Sequence, residues 1–117
     1  MSENVIQDKT YKFALRIVKL YQFLRNEKKE YVLSRQVLRC GTSIGANIEE
    51  SIGGQSTNDF ISKISIAYKE ARETLYWIRI LKDTDYITES QADSLIEDIK
   101  EILKIITSIQ KTSKKKK

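Results

Sequence analysis

Four acidic residues (Glu49, Glu50, Glu70 and Glu73), one cysteine (Cys40) and three runs of basic side chains are the groups in this 117-residue chain whose types and spacing could do chemistry. Carboxylates brought together from two packed helices can bind a hard cation or move a proton. The same four residues also read as a solvated face with ion pairs such as Lys69 with Glu73, one helical turn apart. Cys40 sits among small residues and reads as a packed hydrophobe, because a reactive thiol needs a depressed pKa and neighbouring Arg39 is a thin argument for one.

The basic residues are better ordered. Lys12, Arg16 and Lys19 share one helical face, Arg35 and Arg39 lie one turn apart, and Arg72, Arg79 and Lys82 run along a third segment. Together with Lys114, Lys115, Lys116 and Lys117 they could follow a phosphate backbone. Arginine beside exposed tyrosine also suits single-stranded RNA, whose bases stack on aromatic and guanidinium planes. Against this stands the charge balance. The net charge is +5, but setting aside the five lysines at 111 and 114–117 leaves 16 basic residues against 16 acidic ones. The body of the chain is neutral, so the same stripes also read as the ordinary solvated faces of a bundle.

Other chemistries are excluded by residue type. There is no histidine, so neither a His-activated nucleophile nor a Glu-x-x-His di-metal site can be built. A single cysteine forms no intrachain disulfide and no structural zinc site. No glycine-rich loop with lysine follows a strand, as a phosphate-binding loop requires. The expectation is a protein that is not an enzyme, with no metal and no cofactor.

The elements that must position these groups are helices. The chain has no proline and only four glycines, too few turn residues for a sheet protein of this size. Apolar residues repeat at helical spacing in four segments, predicted at 9–26, 34–53, 58–83 and 88–110, with 111–117 as a disordered lysine-rich tail. The first buries Phe13, Ala14, Ile17, Val18, Leu20, Tyr21 and Leu24. Ser34 is the expected N-cap of the second, and Gly53-Gly54 its stop. Thr88-Glu89-Ser90-Gln91 opens the fourth as a capping box. Short connections between long helices predict an all-α, up-down-up-down antiparallel four-helix bundle.

Two further patterns bear on assembly. In the second helix Val37, Gly41, Ile44, Gly45, Ile48 and Ile52 form one stripe, and its two glycines each sacrifice about 1 kcal/mol of helix propensity. Gly41 and Gly45 therefore predict tight helix packing. In the third helix Leu75, Tyr76, Trp77, Ile78, Ile80 and Leu81 cover nearly the whole circumference, more than one core stripe needs. The surplus predicts a homo-oligomer interface with Tyr76, Trp77 and Ile80 as anchors.

FALRIVKLY (13–21), SRQVLRCGTSIGANIEES (34–51) and DFISKISIAYKEARETLYWIRIL (59–81) resemble the 23S rRNA-intervening-sequence proteins, also called the four helix bundle protein family. The resemblance covers most of residues 10–82, and the fourth helix follows it only in pattern. It implies a small bacterial bundle that assembles as a homopentamer and has no enzymatic activity. Family genes occur inside insertions in large-subunit rRNA genes. A related branch is similar to the accessory protein of diversity-generating retroelements, a basic pentameric barrel that binds nucleic acid and a reverse transcriptase. Cys40 stands where serine or alanine is expected, and Leu75 where relatives often carry histidine or arginine.

The functional expectation is an oligomeric helical scaffold associated with RNA or nucleoprotein, binding phosphate through Lys12, Arg16, Lys19, Arg72, Arg79 and Lys114–Lys117. Its partners would be copies of itself and RNA or a nucleic-acid-handling protein. The alternative is a protein-docking module with no nucleic-acid role. No apolar run approaches the roughly 20 residues that span a bilayer. The opening MSENVIQDK also lacks the basic-then-apolar order of a signal peptide, so a cytoplasmic protein without a membrane role is expected.

Overall fold

Apolar residues at three- and four-residue steps bury one stripe of each of four helices. In the computed structural model, which describes residues 2–116 (side chains 5–114), these are α1 (Ser2–Asn26), α2 (Leu33–Ile52), α3 (Thr57–Asp83) and α4 (Glu89–Lys116). No strand occurs among the described residues. Each helix packs on its neighbours around the ring α1–α2–α3–α4, most extensively along α2–α3, and the diagonal pairs lie further apart. The result is the expected bundle, 47 × 22 × 19 Å.

The core is built from Ile17, Leu24, Ile44, Ile48, Ile78, Leu81, Ile99, Ile102 and Ile106 with their neighbours on the same stripes. Small residues set the seams: Ala67 and Ala71 are fully buried on α3, as is Ala92 at the start of α4. Among the described residues, three of the four buried hydroxyls are satisfied within their own helices, Ser34 being the exception. Thr10 donates to the Ile6 carbonyl at 2.7 Å, Ser51 to Ile48 at 2.7 Å and Thr74 to Glu70 at 2.7 Å.

The turns hold several differences from expectation. α1 starts at Ser2, not near residue 9, so Ile6 joins the core. Ser34 is not the N-cap of α2: Val32 occupies that position without a side-chain cap, and the Glu30 carboxylate accepts from Ser34 N–H at 2.8 Å. α2 ends before Gly53 as predicted, yet no glycine is left-handed; positive φ falls on Lys29 (55°) and Asp85 (65°). Asp85 closes α3, with Thr84 N–H donating to Ile80 at 3.0 Å and Tyr86 N–H to Leu81 at 3.0 Å. The capping box at α4 forms as read, Thr88 N–H to Gln91 Oε1 at 2.9 Å and Gln91 N–H to Thr88 Oγ1 at 3.1 Å. Ser56 caps α3 by accepting from Asp59 N–H at 3.1 Å.

The largest difference lies at the C-terminus. α4 continues to Lys116, so residues 111–116, predicted as a disordered tail, are helical. Lysine is a good helix former, and nothing in KTSKKK breaks the helix begun by the strong Ile99–Ile109 stripe.

Candidate nucleic-acid interface

The basic stripe of α1 exists as drawn, but packing has employed part of it. Arg16 reaches across to α4, its Nη1 2.5 Å from Asp98 Oδ2 and its Nη2 2.9 Å from Ser94 Oγ. Lys9 on the same side meets Glu101 at 2.5 Å, and this partner raises the lysine pKa. Lys12 pairs with Asp8 one turn back at 3.0 Å, while Lys19 is exposed. The face is therefore a zipper to α4 flanked by two solvated lysines, and Arg16 is withdrawn from the phosphate-binding set.

The basic residues of α2 and the four candidate carboxylates resolve together. Arg39 bridges Glu70 (3.3 Å) and Glu73 on α3, and Glu73 also accepts from Trp77 Nε1 at 2.9 Å. Glu50 pairs with Lys63 at 2.8 Å, and Glu49 accepts from Gln7 Nε2 at 3.3 Å. The acids are spread along two seams and do not converge on one point. Among the described residues no cluster of three or more His, Cys, Asp or Glu side chains is placed to hold a metal. Cys40 is fully buried between α2 and α3, and burial pushes its thiol up to about 11.

The α3–α4 seam is different. Arg72 and Tyr68 of α3, with Lys100, Lys104 and Lys111 of α4, line an open groove of about 490 Å³ that also includes Leu103, Thr107 and Ser108. No carboxylate lines it, and among the described residues none of its four cations is ion-paired. Further along the seam Arg79 is exposed, and Lys82 is held by Asp93 at 2.9 Å, which raises the lysine pKa. Lys100 and Lys104 escaped the sequence reading. Their four-residue spacing was visible, but Glu97, Asp98 and Glu101 interleave with them, and only the packing shows that Asp98 and Glu101 turn towards α1.

Of the remaining expected residues, Lys114 continues the α4 stripe and is exposed. Lys117 and the side chains of Lys115 and Lys116 lie outside the described residues. Tyr76 is 55% exposed on the outer face of α3, edge-on to Trp77 at 5.3 Å between centroids. Trp77 and Ile80 are half-buried, Trp77 against the core. The surplus apolar surface lies equally on α1, where Tyr11 (63%), Leu15 (48%) and Val18 (38%) face outwards; Val18 was expected in the core, as was Ile52 of α2, which is also exposed.

Gly41 and Gly45 let α2 pack tightly on α1. A Cβ on Gly41 would lie 2.8 Å from Ile17 Cγ1 and Cγ2, and one on Gly45 would lie 3.3 Å from the Thr10 carbonyl oxygen. The partner of this ridge is α1.

Residues 2–108 match a family model described as 23S rRNA-intervening sequence protein. The chain is also similar to the crystal structure of a protein of unknown function of the S23 ribosomal protein family from Bacteroides thetaiotaomicron VPI-5482. The two share 55% identity over 95% of this chain and 99% of that one, with a TM-score of 0.94. No curated protein matches. No helix among the described residues is long and apolar enough to cross a membrane.

Proposed function

The chain belongs to the 23S rRNA-intervening sequence protein family, and from that premise we propose that it is a cytoplasmic, non-enzymatic helical scaffold that binds RNA through the phosphate backbone. One observation carries this reading. Because α4 runs on to Lys116, Lys111 and Lys114 are held on a rigid helix in register with Lys100 and Lys104. At 100° per residue the four lysines fall within one stripe about 80° wide. A cationic stripe fixed on a helix loses less conformational freedom on binding than a loose tail. The test is fluorescence anisotropy of the full chain with short labelled RNAs across a range of salt. Binding that weakens log-linearly with salt supports the reading, and absence of RNA binding at low salt removes it.

A second reading rests on the outward apolar residues. Tyr11, Leu15 and Val18 on α1 and Tyr76 on α3 lie on helices that are diagonal in the bundle, so the two patches face opposite ways. Opposed patches suit head-to-tail association, which forms a ring when the rotation between successive copies closes. We propose self-association through them, with five copies taken from the family resemblance; the same surface would serve a protein partner in the docking alternative. Sedimentation of the wild type against Leu15→Lys and Tyr76→Lys tests it: a monomeric wild type sinks the reading, and dissociation by either variant supports it.

A further inference from the structure

We infer that the groove between α3 and α4 is a track for one strand of RNA, with Arg72, Lys100, Lys104 and Lys111 holding its phosphates and Tyr68 offering a ring to a base. The inference rests on the RNA reading above and adds to it the surface and the form of the nucleic acid.

Three features of the groove select this occupant. Its charge is of one sign: four cations from two helices converge with no carboxylate among the lining residues, whereas the α1–α4 and α2–α3 seams spend their cations on acids of the neighbouring helix. Lys100 and Lys111 stand about 16 Å apart along the helix axis at 1.5 Å per residue, room for several successive phosphates. The third feature is width. Packed helices lie about 8–10 Å apart, so the furrow between them admits a single backbone, while a duplex can only rest on its rim. Tyr68, half-buried with its ring against the core, is a fixed aromatic surface, and stacking on such a surface is tolerant of sequence.

The experiment compares a labelled single-stranded oligouridylate with a duplex of equal length, using anisotropy across a salt range. The proteins are the full chain, Lys100→Gln/Lys104→Gln, Lys28→Gln/Lys29→Gln in the exposed α1–α2 turn and Tyr68→Leu, each checked for an unchanged helical signal by circular dichroism. Four phosphate contacts predict a log–log salt slope of about −2.8 for the single strand, and the Lys100/Lys104 variant should bring it to about −1.4. The Lys28/Lys29 variant should keep the wild-type slope, and Tyr68→Leu should weaken binding without changing it. If the Lys100/Lys104 variant binds like wild type, the groove is wrong although the RNA reading survives. Equal affinity for the duplex overturns the single-strand occupant. If the wild type binds neither RNA, the reading in the previous section fails and the groove fails with it.

Discussion

Arg16 on α1 and Asp98 on α4 are joined by a 2.5 Å contact, which turns a residue on a basic stripe into a clasp between the first and last helices. Both side chains are more than a third exposed, so solvent screening holds the contribution near that of a surface pair, about 0.5–1 kcal/mol. Arg16→Gln should lower stability by that amount in chemical denaturation while leaving the salt slope of RNA binding unchanged. A flattened slope with wild-type stability would return Arg16 to the binding surface.

The α1–α2 seam makes a sharper prediction. Gly41→Ala gains about 1 kcal/mol of helix propensity, yet its methyl would meet Ile17 at 2.8 Å inside the core. Overpacking of this kind costs about 1–3 kcal/mol, so the variant should be net destabilised. Because the clash is with one side chain, Ile17→Ala combined with Gly41→Ala should lose less than the sum of the two. Gly45→Leu faces the Thr10 backbone, which cannot rotate away, and should damage packing more severely. Denaturant titration of the wild type, the two single variants, their combination and Gly45→Leu decides it, and strict additivity would place the strain elsewhere.

Ser34 is fully buried, and its hydroxyl has no partner among the described residues. An unsatisfied buried hydroxyl is a net cost, and alanine removes it with a small loss of volume. Ser34→Ala should stabilise the protein by about 0.5–1 kcal/mol, read as a higher melting temperature. Destabilisation would mean that the hydroxyl does have a partner.

Cys40 should be silent in the native state, unreactive to a thiol reagent until the protein unfolds. Burial raises its folded pKa to about 11, above the ordinary thiol value of 9.0. Below pH 9 both states hold the proton and the thiol adds no pH dependence. As pH rises from 9 towards 11 the unfolded chain ionises first, so stability falls, by about 2 kcal/mol at the upper end. Cys40→Ala should lack that portion of the alkaline decline. Matching pH profiles for the two proteins would show that the thiol is not held neutral by burial.

Much of the bundle was legible because helical periodicity is a local signal. The α4 stripe from Ala92 to Ile109 and the Thr88–Gln91 capping box were read correctly from spacing alone. Reading failed where the deciding partner is distant in sequence. Ser34 has the residue type of an N-cap, but Glu30 supplies the cap and the bundle buries the serine. Val18 has the type of a core residue, but it lies on the outward side of α1 and is 38% exposed.

The candidate site divides along the same line. Residue types and spacing by themselves determined the all-helical class, the close packing at Gly41 and Gly45, the lack of histidine chemistry and the alignment of the basic stripes. Which cations remain available was decided only by tertiary structure. Arg16 and Arg39 are engaged by acids 82 and 31 residues away, while Arg72, Lys100, Lys104 and Lys111 converge on a groove that no acid lines. The physical reason is that a charge's availability depends on what lies within a few ångströms of it, and those neighbours are chosen by helix packing and not by adjacency in the chain.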